Sequence, residues 1–101
     1  MKMLVIVFRG SLVEQVHALL NDYEVSAFSE LHNVAGKGAT GSTSQFFLAP
    51  TTNRMILAAV SDQLAHRLID AFTHFRLKQE AAKGDNIFPL HVFVLPCEQA
   101  V

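Results

Sequence analysis

The sequence predicts an α+β fold in which a four-stranded antiparallel sheet carries two helices on one face. The chain has 101 residues, which is the size of one domain. Short runs of β-branched and aromatic residues alternate with two stretches of helical periodicity. Half of the residues are apolar and 17% are charged, a balance typical of a folded core. We therefore expect residues 1–101 to form a single domain.

The first predicted elements are a buried strand and a helix. Residues 2–8 form a β-branched and aromatic run that ends before Gly10. Ser11 and Glu14 match a capping box, in which a hydroxyl and a carboxylate bond the free N–H groups of a first helical turn. Apolar residues then recur at helical spacing, which predicts a helix over about residues 11–21.

The middle of the chain predicts two strands separated by a glycine-rich loop. A second strand is expected from Glu24 to about Val34. Residues 35–44 contain three glycines and several small hydroxyl residues, which bury little and permit unusual dihedral angles, so they are expected to form a loop. A long strand is expected from Gln45 to Val60, with a bulge or turn near Pro50.

A second helix and a last strand complete the chain. Ser61 or Asp62 is expected to cap this helix, and Gly84 to end it at the position after its last turn. The last strand covers about residues 90–95 and stops at Pro96, which has no N–H group for a sheet. The apolar face of the helix is formed by Leu64, Ala65, Leu68, Ile69, Phe72 and Phe75.

The resulting order, βαββαβ, predicts a ferredoxin-like fold. Right-handed connections place both helices on one face of the sheet and leave the other face without a cover. Exposed apolar areas of that size mark interfaces, so we expect a homo-oligomer. Phe46, Phe47 and the strand over residues 55–60 are the candidate contact residues.

Composition excludes several function classes. A formal net charge of −1 leaves no basic stripe for nucleic acid. No apolar run approaches the roughly 18 residues of a membrane span. A single cysteine suits a reducing compartment. We therefore expect a cytoplasmic protein that does not bind nucleic acid and does not span a membrane.

Several segments resemble the PII nitrogen-regulatory proteins. The most specific is the run F-V-L-P over residues 93–96, followed by Glu98, which resembles the F-V-L-P-x-E of that family. Residues 2–7 resemble its opening strand, and residues 34–38 resemble the V-x-G-x-G where its long T-loop departs. Residues 47–50 and 56–62 resemble its third strand and the V-P-D at the start of its second helix.

This resemblance implies a trimeric signalling protein in nitrogen regulation, without catalytic residues. A small anionic ligand, such as an adenine nucleotide, would bind in clefts between subunits. The loop from Gly36 to Ser44 would contact a partner protein such as a transporter or an enzyme. The ligand-binding candidates are Gly36, Lys37, Gly38, Gly84, Asp85 and Asn86.

The chain departs from the family pattern in three places. Its T-loop is short and lacks the tyrosine that is uridylylated in classical members. The family's G-D-G-K loop, whose lysine holds phosphates, here reads G-D-N-I over residues 84–87. The sequence ends at Val101, before the R-x-R segment that completes the family's ATP site. We therefore expect a short-T-loop member that binds ATP weakly or not at all and prefers an adenine ligand with fewer phosphates.

Two other functions compete with signalling. His66, Asp70 and His74 lie four residues apart on the second predicted helix, and an i, i+4 pair can share a metal ion. All three cannot reach one ion, because His66 and His74 are about 12 Å apart along the axis. The first alternative is a metal-linked or purely structural trimer, of the CutA type or like the small PII-like proteins associated with cation efflux. An ACT-like amino-acid-binding module, which has the same order of elements, is the second.

Overall fold

The computed structural model describes residues 1–35, 37–38, 41–42, 52–83 and 88–101. For residues 37–38, 41–42 and 83 it describes the backbone alone. The elements in chain order are β1 (Lys2–Arg9), a short 3₁₀ turn (Gly10–Leu12), α1 (Val13–Asp22), β2 (Ser29–Val34), β3 (Lys37–Gly38), β4 (Gly41–Ser42), β5 (Asn53–Val60), α2 (Asp62–Lys83) and β6 (Leu90–Pro96).

The main sheet has four antiparallel strands in the order β2-β5-β1-β6. Strands β3 and β4 form a separate two-stranded ladder. With two helices joining the strands of the main sheet, this is the predicted ferredoxin-like arrangement, and the predicted fold class is confirmed.

The core lies between one face of the sheet and the two helices. Alternate residues of β1 and β5 point to this side, as the two-residue period of a strand requires. The helices contribute residues at helical spacing to the same core. Its fully or nearly fully buried members include Leu4, Ile6 and Phe8 of β1, Ile56 and Ala58 of β5, Val16 and Leu20 of α1, and Ala65, Leu68 and Phe72 of α2.

The opposite face of the sheet is apolar and has no cover within the described chain. Val5 is in register with Leu57 on one side and Phe93 on the other. Phe93 is 55% exposed and Leu95 is 50% exposed. We call this surface the outer face; its large apolar members are Leu31, Met55, Leu57, Met3, Val5, Val7, Phe93 and Leu95.

The predicted capping box at the first helix is wrong. Ser11 lies inside the 3₁₀ turn, and the helix proper begins at Val13. The residue preceding α1 is Leu12, which provides no side-chain cap. The N–H of Val13 bonds to the carbonyl of Gly10, so backbone groups of the turn take the role that was predicted for the two side chains.

Strand β2 begins at Ser29, five residues later than predicted. The N–H of Glu24 bonds to the Asn21 carbonyl over 3.0 Å, and that of Val25 to the Leu20 carbonyl over 2.9 Å. Glu24 has a positive φ of 61°. The backbone here closes the end of α1, so these amides are not available to a sheet.

Two further predictions about boundaries have different outcomes. Ser61 caps α2 as predicted, because its Oγ accepts the N–H of Leu64 over 3.1 Å. The loop predicted for residues 35–44 contains the short ladder of β3 and β4. The predicted Gln45–Val60 strand begins at Asn53 among the described residues, while residues 45–51, including Phe46 and Phe47, lie outside them.

Candidate functional site

The end of β1 touches both connections that contain the predicted ligand-binding residues. The N–H of Gly10 bonds to the carbonyl of Thr52 over 2.7 Å. Thr52 is the last residue of the segment over residues 35–52, directly before β5. The N–H of Arg9 bonds to the carbonyl of Pro89 over 3.0 Å, just after the connection between α2 and β6. Two neighbouring amides therefore bring the edges of two distant segments together at one end of the sheet.

The segment over residues 35–52, which we call the T segment, leaves and rejoins the sheet at paired positions. Val34, the last residue of β2, is in register with Asn53, the first residue of β5. Next to this pair, two residues of β2 oppose the single residue Arg54 of β5. This is a β-bulge, with Asn33 at a φ of 57°. A bulge bends a strand and changes the direction of its side chains, here at the base of the T segment.

Two of the six predicted ligand-binding residues have a described backbone. Lys37 pairs with Ser42 and Gly38 pairs with Gly41 in the β3–β4 ladder. The predicted residues Gly36, Gly84, Asp85 and Asn86 lie outside the described residues. The structure thus places the edges of both segments together and leaves the six assignments as predictions.

Arg76 fixes the chain where β6 begins. Its Nη1 donates to the Leu90 carbonyl over 2.6 Å, and its Nη2 lies 3.4 Å from the Phe88 carbonyl. Its Nε also lies 3.5 Å from a carboxylate oxygen of Glu80, one helical turn away. A planar guanidinium can bond several acceptors at fixed angles, so this side chain holds the return from residues 84–87 against α2.

A cluster of charged side chains at the base of the T segment was not predicted from the sequence. Glu30 of β2 is only 11% exposed, and it contacts His17 of α1, His32 of β2 and Arg54 of β5. We call these four residues the Glu30 cluster. His32 is two positions from Glu30 on the same strand, but His17 and Arg54 lie 13 and 24 positions from Glu30 along the chain, so local spacing does not indicate the cluster as a whole.

The electrostatics of the cluster favour an ionised Glu30. Burial alone would raise the pKa of this carboxyl group. Hydrogen bonds from Arg54 and His17, together with their charges, outweigh that effect and hold the pKa below its ordinary value. The carboxylate of Glu30 therefore keeps its negative charge at the edge strand of the sheet, stabilised by partners on α1 and β5.

The residues considered for a metal ion lie on α2. His66 borders a surface pocket with Asp62, Gln63 and Arg67. Asp70 and His74 border another groove, between α1 and α2. Across the part of the chain that the structure describes, no three His, Cys, Asp or Glu side chains form a group that can hold a metal ion.

One family model matches the whole chain. It is the model described as nitrogen regulatory protein P-II, and it matches residues 1–101. No curated protein matches the sequence. Among the described residues, no helix is long and apolar enough to cross a membrane.

Solved structures of PII-like proteins resemble this chain. CPII from Thiomonas intermedia, bound to ADP, AMP and bicarbonate, is 27% identical with a TM-score of 0.73; the match covers 93% of this chain and 82% of that one. The same protein bound to ADP and bicarbonate is 28% identical with a TM-score of 0.71 and the same coverage. A PII-like protein from Thermus thermophilus is 13% identical with a TM-score of 0.59, covering 93% of this chain and 83% of that one, which shows the fold alone.

Proposed function

Because the chain belongs to the nitrogen regulatory protein P-II family, we propose that it is a homotrimeric regulator that binds an adenine nucleotide at clefts between its subunits. The family match favours this function over the metal-linked trimer and the amino-acid-binding module. The proposed ligand is ADP or AMP, with bicarbonate as a second small anion. This choice rests on the ligands bound to CPII, the similar protein from Thiomonas intermedia.

One observation supports this site above all others. The amides of Arg9 and Gly10 bond the edge of the T segment at Thr52 and the edge of the α2–β6 connection at Pro89, so the described edges of the two regions that contain the ligand-binding candidates meet. Glycine-rich backbone can present several N–H groups to an anion, and Lys37 supplies a cation in the T segment. A phosphate group suits both features.

The absence of a lysine in the 84–87 connection favours a ligand with few phosphates. Family members hold phosphates with a lysine in the G-D-G-K loop, whereas this chain has Asn86 and Ile87 there. Each additional phosphate adds negative charge that needs a cation or a hydrogen-bond donor. We therefore propose that ADP and AMP bind more tightly than ATP.

The outer face supports the proposed trimer. Its apolar side chains form rows across all four strands, and a soluble monomer rarely exposes a continuous apolar patch of several hundred Å². Association of three copies through this face would bury it. The T segment of each copy would then respond to ligand and contact a partner protein, such as a transporter or an enzyme, by selection among its conformations.

Calorimetry tests the nucleotide proposal. ADP, AMP and Mg-ATP are titrated separately into the protein, each with and without bicarbonate, and GDP serves as the control for base recognition. The expected result is saturable binding of ADP or AMP, weaker binding of Mg-ATP and none of GDP. The absence of heat and of any thermal shift with both ADP and AMP would contradict the proposal.

A further inference from the structure

The two oxygens of Glu30 have different partners. Oε1 lies 2.5 Å from Nε2 of His17, which connects β2 to α1. Oε2 accepts a hydrogen bond from Nη1 of Arg54 over 2.8 Å, which connects β2 to β5. Nε2 of His32 lies 3.2 Å from that same Oε2. Oε1 of Glu30 thus connects β2 to α1, while Oε2 contacts both Arg54 and His32.

His32 and Arg54 also face each other directly. Their Nε2 and Nη1 atoms are 3.4 Å apart. A neutral imidazole can accept a hydrogen bond from the guanidinium at this nitrogen. A protonated imidazole has an N–H there, so it repels the guanidinium and donates to Oε2 of Glu30 instead. A protonated His32 therefore no longer accepts a hydrogen bond from Arg54. It competes with Arg54 for Oε2 of Glu30 instead.

We infer that His32, when protonated, weakens the link between Glu30 and Arg54, and that it thereby couples pH to the pairing of Val34 with Asn53 at the base of the T segment. The charged and titratable groups that face this link come from α1 (His17), β2 (Glu30 and His32) and β5 (Arg54). Imidazole is the side chain that normally changes charge between about pH 5 and 8. The carboxylate stays ionised in that range because its pKa is held low.

The geometry explains how the link reaches the T segment. Arg54 lies next to Asn53, which pairs with Val34, so a change at Arg54 acts at both ends of the segment. His32 lies within the bulge opposite Arg54, where the ladder has lost its regular pairing. A bulged position is stabilised less by ladder hydrogen bonds, so side-chain contacts have more influence there. His32 is 59% exposed, so protons reach it freely.

His17 has a different role and provides the matched control. It approaches Oε1, away from the oxygen that Arg54 uses. Its ring also packs against Phe28, with ring centroids 5.7 Å apart. Protonation of His17 would strengthen its own link to Glu30 without displacing Arg54. The two histidines of one cluster are therefore expected to respond differently to acid.

Amide hydrogen exchange tests the inference without any ligand. Exchange is followed at about pH 6 and about pH 8 in peptides that cover residues 31–35 and 52–56, after correction for the intrinsic rate at each pH. Wild type should exchange about two- to fivefold faster at the lower pH, the change expected for a weakened, half-exposed ion pair. His32→Gln should abolish the difference, and His17→Gln should retain it. Equal corrected rates in wild type, or a difference that persists in His32→Gln, would overturn the inference.

Coupling to ligand rests on the proposed function and has its own measurement. ADP affinity is compared at the same two pH values in wild type and His32→Gln. A pH dependence that disappears in the variant supports the coupling, and an equal pH dependence in both proteins overturns it. If ADP fails to bind at either pH, the proposed function fails, while the exchange data still decide whether His32 controls the link.

Discussion

Arg76 on helix α2 donates a hydrogen bond to the carbonyl of Leu90, the first residue of β6, over 2.6 Å. This contact joins the helix to the strand on the far side of residues 84–87. A hydrogen bond from a charged donor to a backbone carbonyl is among the stronger hydrogen bonds in proteins. Removal of the arginine leaves the Leu90 carbonyl without this donor.

Arg76→Ala should lower the free energy of unfolding by about 1–3 kcal/mol, because contacts to two carbonyls and one carboxylate are lost. Urea denaturation measures the change. The control is Lys78→Ala on the same helix, which removes the same charge from an exposed position and should cost less than about 0.5 kcal/mol. Equal losses in the two variants would show that charge, rather than the contact with β6, matters.

Two serines provide a paired test of helix capping. Ser61→Ala should lower the free energy of unfolding by about 0.5–2 kcal/mol, because the Leu64 N–H loses its acceptor. Ser11→Ala should change it by less than about 0.5 kcal/mol, since Ser11 lies within the 3₁₀ turn and makes no cap. Thermal and urea unfolding of both variants give the comparison. A larger loss at Ser11 would restore the capping box that the sequence predicted.

Acid should weaken the fold through Glu30. Its pKa in the folded protein lies below its ordinary value of 4.5, so its contribution to stability is complete above that pH and is lost as the pH falls through the folded pKa. Glu30→Gln lacks this contribution, so the variant should be less stable than wild type at about pH 7, and the gap should narrow toward about pH 3. Urea unfolding across that range measures the gap. Glu98→Gln, at an exposed position, is the control and should follow wild type throughout.

The outer face should determine the oligomeric state. Phe93→Asp introduces a charge into this apolar surface, on the edge strand β6, where burial of an unpaired carboxylate is unfavourable, and should convert a trimer into monomers. Light scattering should give three times the chain mass of 11.1 kDa for wild type and a single chain mass for the variant. The control is Leu77→Asp, since Leu77 is 60% exposed on α2 and lies off this face. A monomeric wild type would contradict the proposed assembly.

Lys37 should contribute to nucleotide binding without stabilising the fold. Lys37→Ala should weaken ADP binding by about 1–3 kcal/mol, the range for a lost charge-assisted hydrogen bond. Lys37→Arg keeps the positive charge and should retain most of the affinity. Calorimetry with ADP, together with thermal midpoints, separates binding from stability. Equal ADP affinities in wild type and Lys37→Ala would mean that Lys37 does not contact the nucleotide and that the T segment only connects β2 to β5.

Elements specified by local patterns were predicted well. The buried run of β1, the periodic apolar face of α2 and the stop at Pro96 each depend on neighbouring residues, and each is present in the structure. The start of α1 was wrong because a capping-box pattern does not exclude a 3₁₀ turn that satisfies the same groups through backbone. The start of β2 was wrong because hydrogen bonds back to α1 compete with strand pairing.

The candidate site was predictable only in part. Glycine spacing and family resemblance indicated the two segments that contain the predicted ligand-binding residues. The hydrogen bonds from Arg9 and Gly10 that bring their edges together are backbone contacts, which any residue type except proline can make. The Glu30 cluster forms across three elements, so it depends on strand register, which single-sequence patterns do not specify.

The pairing of Val34 with Asn53 has a consequence for how such proteins diversify. The T segment begins and ends at adjacent points of one hairpin, so its length is independent of the geometry of the sheet. Each doubling of a flexible insertion costs only about 0.6 kcal/mol in closure entropy. The T segment can therefore be longer, shorter or different in sequence in related proteins, which allows it to suit new partners. The sheet and the core that support it stay the same.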